Sequence, residues 1–68
     1  MNEVDEAQAQ AWVEVDRKLI PFASEADARR AVAFLEARGY SARLHNAATR
    51  RRRAYPVVRL ADVVGEVM

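Results

Sequence analysis

The chain has 68 residues, no cysteine and a net charge of +1, from eleven basic and ten acidic side chains. That size allows one domain, residues 1–68, whose small core buries about 60% of the surface the unfolded chain exposes, with no disulfide to reinforce it. No apolar run approaches the ~18 residues of a membrane span, and the acidic N-terminus lacks the apolar stretch of a secretion signal, so a cytoplasmic protein is expected.

Residues 1–10 are polar and rich in Ala and Gln, which suits a loose helix or a flexible tail. Residues 12–22 alternate, with Val13 and Val15 facing one way and Trp12, Glu14 and Asp16 the other. That is strand periodicity. A turn at Asp16-Arg17 would give a hairpin with Lys18–Phe22 as its second arm; one long bulged strand is the alternative. Pro21 places that second arm at an edge or at a strand end.

A helix follows, and its signals agree. Ser24 is a good N-cap, and Asp27 stands in the capping-box position three residues on. Glu25 and Asp27 set negative charge at the positive end of the helix dipole. Ala28, Ala31, Val32 and Leu35 recur at helical spacing, widened by Phe34, and predict the buried stripe. Glu25 and Arg29 form an i,i+4 pair in the favourable order. Arg38 complements the helix end, Gly39 supplies the left-handed residue that stops it, and Tyr40 can fold back onto Leu35.

Tyr40–His45 then reads as a strand with Tyr40, Ala42 and Leu44 on one side. Asn46–Arg53 is a polar loop, and Tyr55–Leu60 is a further strand, weakened by Pro56 and suited to a hairpin with the previous one. Asp62 can cap a last helical turn that docks Val63, Val64 and Val67, with Gly65 weakening it. The order β(β)αββ predicts an α+β domain: a three- to four-stranded, mostly antiparallel sheet with one α-helix packed on one face. One helix covers one face, so the other is expected to be open to solvent or to a partner.

Charge is distributed in blocks. Residues 1–16 hold Glu3, Asp5, Glu6, Glu14 and Asp16 and no base. Residues 17–59 hold all eleven bases, ten of them arginine, against three acids. Arginine suits bidentate contact with phosphate or carboxylate. Arginine beside fourteen alanines is also what a GC-rich genome produces.

Three features are candidates for function. The first is the uncovered sheet face, expected to show Trp12, Glu14, Arg43, His45, Tyr55, Val57 and Arg59. Rings among cations suit stacked bases of a single-stranded nucleic acid; the same residues suit a protein partner or a homodimer, or simply complete a small core. The second is the run Arg50, Arg51, Arg52, Arg53, which can neutralise phosphates or clamp acidic side chains, can be a solvated loop, or can be met by the acidic N-terminal segment. The third is His45, the only histidine. A zinc site needs three or four ligands, and no Cys or second His accompanies it. No phosphate-binding glycine loop, nucleophile–base pair or segregated carboxylate pair is present, so neither an enzyme nor a cofactor or metal is expected.

The stretch PFASEADARRAVAFLEARGYSARL resembles the strand–helix–strand core of SPOR domains, which are peptidoglycan-binding modules. Phe22, Ser24, Ala28, Leu35, Gly39, Tyr40 and Ala42 carry the resemblance, over about a third of the chain. After Tyr55–Leu60 too few residues follow for that family's second helix and final strand, so the resemblance implies a shared supersecondary unit. In size, charge polarisation and lack of catalytic motifs the chain is similar to small proteins of phages and mobile elements, including anti-CRISPR inhibitors.

The expected function is therefore a non-enzymatic interaction module that blocks or regulates a macromolecular partner. It would act through the Trp12/Tyr55/Arg59 face or through a nucleic-acid-mimicking surface of Glu3, Asp5, Glu6, Glu14 and Asp16. A nucleic-acid binder using Arg43, Arg50–Arg53 and Arg59 with Trp12 and Tyr55 is the alternative, and a homodimeric structural component is a third.

Overall fold

The hairpin forms where the alternation places it. The computed structural model describes residues 3–46 and 55–65; within them β1 is Ala11–Val15 and β2 is Lys18–Phe22. They pair antiparallel from Ala11 opposite Phe22 to Val15 opposite Lys18. The two residues between them, Asp16 and Arg17, have φ of 53° and 60°. Two successive left-handed residues make the turn whose twist matches that of paired strands. Lys18 Nζ reaches back to Asp16 Oδ2 at 3.4 Å.

Helix α1, Glu25–Glu36, begins and ends as its sequence signals require. Ser24 Oγ accepts from the Asp27 N–H at 3.1 Å. Glu25 and Arg29 pair at 3.3 Å, and Asp27 turns to Arg30 at 3.0 Å. At the other end the Tyr40 N–H donates to the Leu35 carbonyl and the Gly39 N–H to the Glu36 carbonyl, both at 3.0 Å. Gly39 has φ of 91°, so these are the two bonds of a Schellman ending. The Arg38 guanidinium lies 3.8 Å from the Phe34 ring centroid, a cation–π contact.

Strand β3, Ala42–Asn46, pairs antiparallel with β1, so the three-stranded order is β2-β1-β3. β2 and β3 therefore run parallel to each other on either side of β1, joined by α1. Period-2 alternation then sorts the side chains. Val13, Val15, Ile20 and Phe22 join Ala28, Ala31 and Leu35 of the helix in one buried cluster, with Leu44 and Val58 packed against it. The molecule is a small α+β domain with an antiparallel sheet and helices on one face.

Two expectations are corrected. Tyr55–Leu60 is not a strand in a hairpin with β3. Val57 makes an isolated parallel bridge to Leu19 on the far edge, beside β2, and Leu60 already opens a second helix, α2, Leu60–Val64. Pro56 explains the brevity: it has no N–H to extend a ladder, and its carbonyl accepts from the Leu19 N–H at 2.9 Å. The Val58 N–H returns to the Leu19 carbonyl at 2.8 Å, and the Val4 N–H takes the Pro21 carbonyl at 3.3 Å. Pro21 has no N–H to offer, so every outward-facing polar backbone group from Leu19 to Pro21 is occupied. The expectation that Pro21 marks an edge holds, and that edge is closed.

The second correction concerns the sheet face away from α1. It is not open: Trp12 is 6% exposed, Leu19 0% and His45 7%, within a single chain. Paired residues share a face, so Val57 stands on this side with Leu19. The face anticipated as a platform is a second small interior. The N-terminal segment is also more than a tail. Glu3 bridges Phe22, and Glu6–Gln8 form a turn of 3₁₀ helix.

Candidate partner-binding groove

The acidic N-terminal residues are placed by backbone ties to the end of the chain. Glu3 Oε1 accepts from the Leu60 N–H at 3.0 Å, across 57 positions of sequence. That N–H belongs to the first turn of α2 and has no partner within the helix, so Glu3 caps α2 from outside it. Asp62, read from the sequence as the cap that opens the last helical turn, lies instead inside α2, and its Oδ2 accepts from the N–H of Arg59, the N-cap residue, at 3.1 Å. Gly65, with φ of 69°, ends α2, and the Tyr40 hydroxyl donates to the Val63 carbonyl at 3.2 Å. Val63 and Val64 pack against the core as expected; Val67 lies outside the described residues.

These ties leave a groove of about 280 Å³ between the N-terminal segment and residues 57–62. Val4, Pro21, Val57 and Val58 line it with apolar surface. Among the described residues, Glu3, Asp5, Glu6 and Asp62 line it with carboxylates and Arg59 with a guanidinium. Glu3 and Asp62 each spend one oxygen on a backbone N–H and keep the other. Asp5 and Glu6 are exposed.

The remaining candidates are dispersed. Glu14 and His45 lie on β1 and β3, where Glu14 Oε1 and His45 Nε2 meet at 2.6 Å. Their side chains are 17% and 8% exposed, so neither belongs to a surface. With the glutamate ionised, Nε2–H is the donor; Nδ1 is buried and has no hydrogen-bond partner among the described residues. Trp12 is buried beside them, opposite His45 in register. Asp16 sits at the hairpin turn with Lys18, at the other end of β2 from the groove. Arg43 and Arg59 are exposed and Tyr55 is half-buried. Arg50, Arg51, Arg52 and Arg53 lie outside the described residues.

Of the five acids expected to form one surface, Glu3, Asp5 and Glu6 do so, joined by Asp62. Glu14 and Asp16 do not. The part sequence reasoning missed is the pairing of Glu3 with α2, because nothing local announces a contact so distant in the chain. Glu14 and His45 were legible as sharing a face, but their pairing needed the register. Among the described residues no group of three or more His, Cys, Asp or Glu is arranged to hold a metal ion, and no helix is long and apolar enough to cross a membrane. Comparison with protein-family models, with curated proteins and with solved structures finds no match to this chain.

Proposed function

We propose that this chain is a non-enzymatic interaction module that occupies a basic surface on a macromolecular partner and blocks or regulates it, as small inhibitors of phages and mobile elements do, anti-CRISPR proteins among them. The observation that carries this reading is the gathering of Glu3, Asp5, Glu6 and Asp62 around one groove. Carboxylates grouped on a folded surface present a field like that of successive phosphates and draw in a surface built to hold nucleic acid. The burial of Trp12 and His45 adds weight. Trp12 is one of the two rings on which the nucleic-acid-binding alternative relies, and its burial leaves that alternative Tyr55 and the arginines.

The test is recovery of partners with tagged protein from a lysate of the source cell, half of it treated with nuclease. A stoichiometric protein partner that survives nuclease, and is lost by the variant Asp5→Lys/Glu6→Lys while its circular dichroism is unchanged, is the expected result. Nucleic acid recovered only from the untreated half, and released as salt rises, would overturn the reading in favour of the arginine-based alternative.

A further inference from the structure

The outer edge of β2 is covered by two stretches far apart in sequence, and we propose that they form one strap that opens and closes as a unit, with the Glu3 side chain as its clasp. The N-terminal stretch lies on one half of that edge: Glu3 bridges Phe22, and the Val4 N–H donates to the Pro21 carbonyl at 3.3 Å. The C-terminal stretch lies on the other half. There the Leu19 N–H donates to the Pro56 carbonyl at 2.9 Å, and the Val58 N–H donates to the Leu19 carbonyl at 2.8 Å. Each stretch holds β2 through an isolated bridge rather than a ladder, and Pro21 and Pro56 have no N–H with which to extend either one. Glu3 Oε1 joins the two stretches by accepting from the Leu60 N–H at 3.0 Å.

Short pairing and partial burial mark a region that opens at lower free energy than the core. Glu3, Val4, Val57, Val58 and Leu60 are half-buried, whereas Val13, Ile20 and Leu35 are fully buried. Release of the C-terminal stretch carries Leu60 away with Val58, two residues before it, and takes the donor from Glu3. Release of the N-terminal stretch withdraws Glu3 from the Leu60 N–H, which has no partner within α2. Each release therefore weakens the hold of the other stretch by the same factor, because coupling between two equilibria is reciprocal. The Tyr40 hydroxyl, donating to the Val63 carbonyl at 3.2 Å, and the packing of Val63 and Val64 on the core keep the strap closed. Opening uncovers the N–H and carbonyl of Leu19 and the carbonyl of Pro21, and leaves α1 and the pairing of β1 with β2 and β3 in place. Backbone groups of that kind on a strand edge are a template for another chain, so the strap gates the edge.

Amide hydrogen exchange of the full chain, read residue by residue, tests this with one substitution on the C-terminal side and one in the clasp. Asp62→Ala removes the acceptor of the Arg59 N–H and loosens α2, whose closing bond runs from the Gly65 N–H to the Ala61 carbonyl at 3.0 Å. Expected is exchange about three- to tenfold faster, the effect of a lost helix cap, at Gly65, Val58 and Leu19 and also, across the clasp, at Val4. Ile20 and Leu35 keep their protection. In the Glu3→Ala background the same substitution should still speed Gly65 and leave Val4 unchanged. Glu3→Gln, which keeps a carbonyl oxygen, should restore the response at Val4. An unchanged Val4 in the Asp62→Ala single variant would overturn the proposal, by showing that the two stretches open separately. A response at Val4 that survives Glu3→Ala would overturn it too, by placing the coupling elsewhere. So would an equal response at Ile20 and Leu35, which would show that the edge is uncovered only when the whole fold opens. If Asp62→Ala does not fold, exchange of the unsubstituted chain in low urea decides. One shared urea dependence for Val4, Leu19, Val58 and Gly65, shallower than that of Ile20 and Leu35, supports the strap, and separate dependences overturn it.

Discussion

Glu14 and His45 are each unremarkable in the sequence and consequential in the structure. Neighbouring strands bring them together at 2.6 Å, where both side chains are largely enclosed. A hydrogen bond to a charged group contributes about 1.5–3 kcal/mol, and removing one partner leaves the other desolvated and unpaired. Glu14→Ala and His45→Ala are each expected to cost about 2–3 kcal/mol in urea unfolding. The double variant should cost less than their sum by about 1 kcal/mol or more, as residues that share one interaction do. Strict additivity would show that the pair contributes nothing as a pair. The same two residues define a limit of sequence reading. Alternation places Glu14 and His45 on one face, yet whether that face meets solvent depends on what lies over it. Trp12 and Arg43 share that face, and only Arg43 is exposed.

Elements whose signals are local were legible, and those held by distant contacts were not. Helix α1 has its cap at Ser24, its stripe through Ala28, Ala31 and Leu35, and its stop at Gly39, all within reach of one another in sequence. The hairpin was equally local. Residues 55–60 failed as a predicted strand because the edge they meet is that of β2, some forty positions earlier, and because Pro56 limits the pairing to one bridge. Helix α2 depends on both kinds of signal. With five residues it is too short to persist alone; it is fixed by Asp62 within the helix, by Glu3 from the N-terminal segment and by the Tyr40 hydroxyl. Glu3→Ala therefore should loosen α2 specifically. In native-state hydrogen exchange the amides of Val63 and Val64 are expected to lose about tenfold protection, the effect of removing a cap of about 1 kcal/mol or slightly more, while those of Ala31 to Leu35 keep theirs. Uniform loss across both helices would show that Glu3 supports the whole fold, and no loss would show that the tie is idle.

At the scale of the molecule, a chain of 68 residues closes more of its surface than its single long helix suggests. Helix α1 covers one sheet face, the other encloses Trp12, Leu19 and His45, and the outer edge of β2 is taken by Val4 and by Pro56–Val58. Trp12 and His45 are thereby buried, and among the described residues Glu3, Asp5, Glu6 and Asp62 gather where the N-terminal segment meets α2. The central claim is that recognition runs through those acids and not through the arginines. The most direct measurement compares two full-length variants in partner recovery, Asp5→Lys/Glu6→Lys and Arg43→Gln with Arg50–Arg53→Gln, each checked for folding by urea unfolding. The account requires that the first lose the partner and the second retain it; loss by the second with retention by the first would contradict it.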